Sequence, residues 1–168
     1  MSQNLSLEAA LQIAMDAEIK ARDFYTQAAT RTEDAAGRDL LGRLAAFEQY
    51  HYENLGELAK SLGKGGDFID YETRSMEQFE PIAASGEAVA SKLEEMNDMP
   101  SILSAAIENE KIAGQRYRTL SKETTDPRGR GMFRDLASEE MMHQRILEDE
   151  FFTLSNKGTW GWSGMYGE

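Results

Sequence analysis

The sequence predicts an all-α fold, an antiparallel four-helix bundle with one long crossover between helices two and three. Apolar residues recur with the helical period along most of the chain, and almost no stretch alternates as a β-strand would. The periodic segments form two pairs, and each pair is joined by a short turn. The connection between the pairs, residues 67–99, is long enough to run the length of the bundle. Helices two and three are therefore expected to be parallel.

The first pair of helices has clear start and stop signals. Ser6 is the predicted N-cap of a helix that runs to about Arg31. The second helix is predicted to begin near Ala35 and to stop at the glycine-rich segment Gly63–Gly66. Because so few residues separate the two helices, they are expected to form an antiparallel hairpin.

The second pair of helices is marked by two prolines. The third helix is expected to start around Pro100, at a position that proline tolerates in a first helical turn. The fourth follows Asp126 and Pro127 and is predicted to fade near Ser155. Within the long connection, Glu87–Met96 is a short helical candidate. The second pair is thus also predicted to be a hairpin.

The helical pattern divides the chain into a bundle and a tail. The predicted domain is a four-helix bundle over residues 1–155, followed by a C-terminal tail, residues 156–168, rich in glycine and aromatic residues. Trp160 and Trp162 in this tail are expected to dock on the bundle or on a neighbouring subunit.

The charge of the chain limits its partners. Eighteen Lys and Arg residues against 30 Asp and Glu give a net charge of −12, which argues against nucleic acid or an anionic membrane as the main partner. No segment has the apolar length of a transmembrane span, and the N-terminus lacks the pattern of a signal peptide. The absence of cysteine excludes disulfides and thiolate metal sites within this chain. We expect a cytoplasmic location.

Polar residues interrupt the apolar stripes of all four helices in a repeated pattern. The segment FEQYH of the second helix resembles EEMMH of the fourth, and AEIKARDFY of the first resembles NEKIAGQRY of the third. An offset of 92 positions relates the members of three pairs: Glu18 and Glu110, Glu48 and Glu140, His51 and His143. The two predicted hairpins therefore share one repeated sequence pattern, called the template here, and the polar residues are part of it.

The template predicts a metal centre. In each hairpin the two glutamates lie level, about 22 Å from the turn, and each Glu-x-x-His pair shares one helix face. Packing the hairpins together would place four carboxylates and two imidazoles in one layer of the core, where two divalent cations would offset their repulsion. Iron, manganese and zinc all accept such ligands. The repeat also predicts two nearly equivalent metal positions.

Three simpler interpretations remain beside this one. The six residues could be an acidic solvated face with two satisfied histidines, although this does not explain their spacing. Glu139 could replace Glu140, since it also shares a face with His143, but the repeat selects Glu140 and predicts that Glu139 faces solvent. Tyr25 and Tyr117 are predicted to be plain core aromatics whose hydroxyls find one partner, and the alternative is that they hydrogen-bond a ligand carboxylate or serve as redox-active neighbours.

The six residues and the phrase EIKARDFYTQAA resemble the di-iron domain of the rubrerythrin branch of the ferritin-like proteins, over roughly Leu5–Leu154. The resemblance implies a ferritin-like bundle, two iron ions, and a homodimer. It also implies reduction of peroxide or O2, with electrons from Fe(II) or a separate donor protein. On this basis the metal ligands are also the catalytic residues: Glu18, Glu48, His51, Glu110, Glu140 and His143.

The chain departs from rubrerythrin in two respects. It has no cysteine for a rubredoxin iron–sulfur domain, and Ala113 stands where the rubrerythrin site has a further ligand glutamate. These differences leave two alternatives open. One is a ferroxidase or iron-handling protein, and the other is a non-enzymatic regulatory bundle stabilised by metal.

Overall fold

The computed structural model of the protein describes residues 4–82 and 98–164. Within these ranges the chain forms four long helices: α1 (Leu7–Thr30), α2 (Ala35–Gly63), α3 (Met99–Glu123) and α4 (Pro127–Lys157). Strand-like pairing in the described residues is limited to an isolated bridge between Leu5 and Thr124. The all-α class predicted from the sequence is confirmed. No helix in these ranges is long and apolar enough to cross a membrane.

Each helix begins where a side chain accepts a hydrogen bond from a backbone N–H of the first turn. Such a bond satisfies one of the N–H groups that have no partner within the helix. The capping residues are Ser6, Asp34, Asp98 and Asp126. The predicted starts of the helices therefore agree with the structure to within a residue.

The C-terminal end of α4 differs slightly from the prediction. The helix continues to Lys157, two residues past the predicted end, and stops at Gly158, which has a φ of 70° in the left-handed region that glycine adopts readily. The tail then returns to the bundle, where the indole N–H of Trp162 donates to Asp39 Oδ2 at 2.7 Å. Trp162 is buried, so the tail docks on α2 of its own chain.

Two apolar cores lie at opposite ends of the bundle. Within the bundle α1 packs on α2 and α3 packs on α4, as predicted for two hairpins. One core is built around Phe47 and Leu103, and the other around Leu11 and Phe133. Residues of α1 from the two cores lie on either side of Glu18, and on each of the other helices the two cores likewise lie on either side of the cluster residues. The polar residues of the repeat therefore form a layer between two apolar cores.

The described part of the crossover, residues 67–82, is called the strap here. It lies along α2, where the backbone N–H of Ile82 donates to the carbonyl of Gly42 at 3.0 Å. A side chain at Gly42 would lie 2.8 Å from Pro81, so the close approach requires glycine. A short 3₁₀ turn, Met76–Gln78, buries Met76. The predicted helix Glu87–Met96 lies outside the described residues.

Candidate metal centre

The structure brings together all six residues that the repeat singles out. Each helix contributes to the layer between the two cores, and every one of these side chains is buried, with at most 3% of its surface exposed. The contributions are Glu18 from α1, Glu48 and His51 from α2, Glu110 from α3, and Glu140 and His143 from α4. Burial of so many ionisable groups without compensation would be strongly destabilising.

The six residues form two overlapping groups of potential ligands. In each group, one donor atom from every residue lies within 4.8 Å of the others. One group is Glu18, Glu48, His51 and Glu140, and the other is Glu48, Glu110, Glu140 and His143. Glu48 and Glu140 belong to both groups. The arrangement therefore offers each of two cations one imidazole and one carboxylate of its own, with two carboxylates shared between them.

Both imidazoles direct Nδ1 at the carboxylates. His51 Nδ1 lies 3.2 Å from Glu48, 3.3 Å from Glu18 and 3.5 Å from Glu140. The corresponding distances from His143 Nδ1 are 3.1 Å, 3.3 Å and 3.6 Å, to Glu140, Glu48 and Glu110. The two rings lie nearly parallel, 6.2 Å apart. Nδ1 is therefore the atom through which each histidine can bind a cation.

The outer pair of carboxyl groups binds protons more readily than ordinary glutamates do. Burial and the negative charge of Glu48 and Glu140 raise the pKa of Glu18 well above its ordinary value. Burial and the same two carboxylates also raise the pKa of Glu110 well above the usual range. A bound cation would therefore have to displace protons from these two groups more often than from exposed glutamates.

The shared pair of carboxylates is ionised instead. Burial opposes the ionisation of Glu140, but hydrogen bonds with His143 and His51 hold its pKa well below the ordinary value. The pKa of Glu48 is lowered by hydrogen bonds with Glu18, His143 and His51, against burial and the charge of Glu140. Burial alone would lower the pKa of each histidine, yet the surrounding carboxyl groups raise it well above the usual range. The positive form of each imidazole and the negative charge of the shared carboxylates therefore favour one another.

Unused lone pairs in this layer show that the residues fit a cation. The Oε2 of Glu18 and the Oε1 of Glu48 are buried and have no hydrogen-bond partner of normal geometry among the described residues, and the imidazole Nδ1 of His143 lies 3.3 Å from Glu48 Oε1. Native proteins contain few buried oxygen atoms without a hydrogen bond unless an ion or a water molecule binds there. Carboxylate ligation with one imidazole per cation suits iron, manganese or zinc.

Two tyrosines join the hairpins across this layer. The hydroxyl of Tyr25 on α1 donates to Glu110 on α3, and the hydroxyl of Tyr117 on α3 donates to Glu18 on α1. Both rings are buried in the apolar cores, and the alternative that their hydroxyls bind ligand carboxylates agrees with the structure, because they hold two of the candidate ligands. Burial and the nearby carboxyl groups raise the pKa of both phenols well above the ordinary value, so both remain hydrogen-bond donors.

Glu139 also differs from its prediction. It was expected to face solvent, but only 5% of its surface is exposed. Its carboxylate accepts hydrogen bonds from His51 Nε2 at 2.8 Å, from the backbone N–H of Arg74 at 3.0 Å, and from the hydroxyl of Tyr71. The strap covers α4 at this position. The helical period of α4 carries no signal for this contact, since it is made by a segment without regular structure.

A groove between α1 and α3 connects the polar layer with the surface. Its volume is about 690 Å³, and Glu18, Glu48, Glu110 and Glu140 lie among its lining residues. Small side chains, Ala17, Ala21, Ala105 and Ala113, also line it. Exposed residues such as Lys20 and Glu108 lie at its rim. The four carboxylates therefore lie at the inner wall of this groove.

Comparison with known proteins agrees with this description. The model of the rubrerythrin family matches residues 1–59, which include Glu18, Glu48 and His51. A hypothetical protein from Pyrococcus furiosus has a similar structure, with a TM-score of 0.65 over 90% of this chain and 92% of that one, at 24% sequence identity. None of the curated proteins matches the chain. The match over residues 1–59 and the pairing of α1 with α2 and of α3 with α4 are consistent with a rubrerythrin-like protein of ferritin-like fold.

Proposed function

We propose that the protein is a di-iron carboxylate oxidoreductase of the rubrerythrin type that reduces peroxide or O2. The observation that carries this proposal is the pair of four-residue groups sharing Glu48 and Glu140. The six buried side chains, Glu18, Glu48, His51, Glu110, Glu140 and His143, are proposed as the metal ligands and as the catalytic residues. Two iron ions held there would supply or accept two electrons together.

The residues around the cluster would support this chemistry in separate ways. The groove between α1 and α3 admits a small oxidant from solvent and leads to the four carboxylates. Tyr25 and Tyr117 hold Glu110 and Glu18 in position through their hydroxyl groups. The apolar cores on both sides of the layer exclude bulk water from the imidazoles. Because the chain has no cysteine, electrons would come from outside it, from Fe(II) or from a donor protein.

Ferroxidase activity is a second candidate, and Ala113 favours it. This residue lines the groove three positions after Glu110, where it offers a methyl group and no ligand. The test is to load the protein with Fe(II) without oxygen and then mix it with equal concentrations of peroxide or O2. Repeated turnover with peroxide and a reductant supports the peroxidase. A single oxidation by O2 supports the ferroxidase, and binding without oxidation supports a structural or regulatory bundle.

Introducing a carboxylate at the groove is expected to change the relative rates at which peroxide and O2 oxidise the reduced site. Ala113→Glu would place a fifth carboxylate near Glu110, so we expect faster oxidation of the reduced site by peroxide relative to O2, by about tenfold or less, which is 1.4 kcal/mol. Stopped-flow absorbance with both oxidants measures this ratio. Ala113→Gln is the matched control, because it fills the same space without a charge. An unchanged ratio in Ala113→Glu would contradict a role for this position.

A homodimer is proposed by resemblance to rubrerythrin-like proteins. The metal cluster is completed by residues of one chain, so dimer formation is not needed to assemble it. Light scattering coupled to size exclusion is expected to give twice the chain mass of 18.8 kDa. A monomer mass, or the mass of a large cage, would reject the dimer.

A further inference from the structure

The two halves of the cluster differ at the Nε2 atoms of the two histidines, on the side of each ring away from the four clustered carboxyl groups. His51 turns its Nε2 towards Glu139, at a distance of 2.8 Å. The Nε2 of His143 is buried and has no hydrogen-bond partner among the described residues. The Nδ1 atoms of both histidines face the same kind of carboxylate surroundings. The asymmetry is therefore confined to the far side of the rings.

The sequence repeat locates the origin of this difference. The offset of 92 positions that relates His51 to His143 also relates Phe47 to Glu139. The ring of Phe47 lies 4.4 Å from the His143 ring and nearly perpendicular to it. A carboxylate therefore stands at this template position in one hairpin and an apolar ring in the other. The near-equivalence that the repeat predicts is broken at this position.

The hydrogen bond to Glu139 fixes the state of His51 in a metal-bound centre. When the Nε2–H group donates a hydrogen bond to the carboxylate of Glu139, Nδ1 carries a lone pair. This lone pair points at Glu18, Glu48 and Glu140. A carboxylate behind a ligand imidazole also increases the electron donation of the ring to a cation. Among the described residues, His143 has no carboxylate at Nε2 to fix its proton or to increase electron donation by its ring. Its ring is held by packing.

Glu139 is itself firmly held, since the strap supplies two further donors. The hydroxyl of Tyr71 and the backbone N–H of Arg74 both donate to its carboxylate. This part of the strap is fastened to α2, because the Tyr50 hydroxyl donates to the carbonyl of Glu72 at 2.7 Å. The guanidinium of Arg74 also lies 4.3 Å from the centre of the Tyr50 ring. The carboxylate is therefore oriented before any metal binds.

We propose, on the basis of the metal centre proposed above, that Glu139 is a positioning residue for His51. Through this contact the His51 half of the centre binds its metal more tightly than the His143 half. Loss of such a partner behind a ligand histidine typically weakens metal affinity about 10- to 100-fold. The two metal positions consequently fill in sequence, with the His51 position first.

The test separates the halves by removing one histidine at a time. His143→Ala leaves the His51 half, and His51→Ala leaves the other. Metal-free protein is titrated with Co²⁺, whose visible absorption reports its coordination, with and without Glu139→Gln in each background. We expect Glu139→Gln to weaken Co²⁺ binding about 10- to 100-fold in the His143→Ala background and to shift its spectrum. In the His51→Ala background affinity is expected to stay within about twofold.

Two further variants keep the test decisive. Tyr71→Phe removes one donor to Glu139 and retains the ring, so it is expected to weaken only the His51 half, and by less than Glu139→Gln. Glu148→Gln, an exposed position on the same helix, is the control and is expected to change neither half. Circular dichroism of the metal-free proteins verifies their folding.

The outcomes distinguish this inference from the proposed function. Equal weakening in both backgrounds, or in neither, overturns the positioning role of Glu139 while the metal centre stands. A merely structural role predicts equal weakening, because a general loss of packing would not select one histidine. Absence of Co²⁺ binding to the unaltered protein overturns the proposed metal centre as well.

Discussion

Replacing Glu48 and Glu140 together with alanine is expected to reduce bound metal from two ions per chain to nearly none. These two carboxylates belong to both ligand groups, so their loss leaves each position with one imidazole and one carboxylate. Two ligands are too few to hold a divalent cation against its hydration. Equilibrium dialysis with Fe(II) under anaerobic conditions, followed by elemental analysis, measures the stoichiometry.

A matched control for this double substitution exists on the same helices. Glu53 on α2 and Glu148 on α4 are exposed, and each accepts a hydrogen bond from a glutamine one turn before it. Replacing both with alanine removes the same charge from the chain and is expected to leave two ions bound. Glu48→Gln with Glu140→Gln retains side-chain shape and provides a second variant if the alanine protein does not fold. Full metal binding by either altered centre would contradict the proposed ligand set.

Filling the centre with two divalent cations is expected to release protons. Burial and neighbouring charge raise the pKa of Glu18 and Glu110, so both bind protons more readily than ordinary glutamates. The pKa values of His51 and His143 are also raised, because the surrounding carboxyl groups favour the imidazolium form. A cation can bind these four groups only after they lose their protons, whereas Glu48 and Glu140 are already ionised.

The same protons determine whether the metal affinity rises or falls with pH. As the pH falls, protons compete more strongly with the metal and affinity decreases. As the pH rises, affinity increases until the four groups lose their protons in the metal-free protein, above which it levels off. An indicator dye in weakly buffered solution measures the protons released during titration with Co²⁺. Glu53→Ala with Glu148→Ala should release the same number, and metal uptake without proton release would contradict the assignment.

The sequence predicts most of the fold because its signals are local. Ser6, Asp34 and Asp126 each precede a helix at a position where the first-turn N–H groups need an acceptor. The positions of the six cluster residues are also predictable, since a repeat along the chain places them level in two hairpins. Such patterns can be read without knowledge of long-range contacts.

The surroundings of the cluster could not be predicted in the same way. Glu139 is buried because the strap lies over α4, and the strap has no helical or strand period from which its path could be read. Tyr25 and Tyr117 are at core positions, but their hydroxyls reach a glutamate of the opposite hairpin. The periodicity of a helix indicates which face is buried and does not identify the residue it meets.

The tyrosine contacts have the form of an isologous interface. Tyr25 of the first hairpin contacts Glu110 of the second, and Tyr117 of the second contacts Glu18 of the first. Two identical subunits related by a twofold axis make contacts in this reciprocal way. Here the partners are two halves of one chain, related by the internal repeat. The bundle thus retains the contact pattern of a symmetric pair of hairpins, as expected if one ancestral hairpin was duplicated and fused.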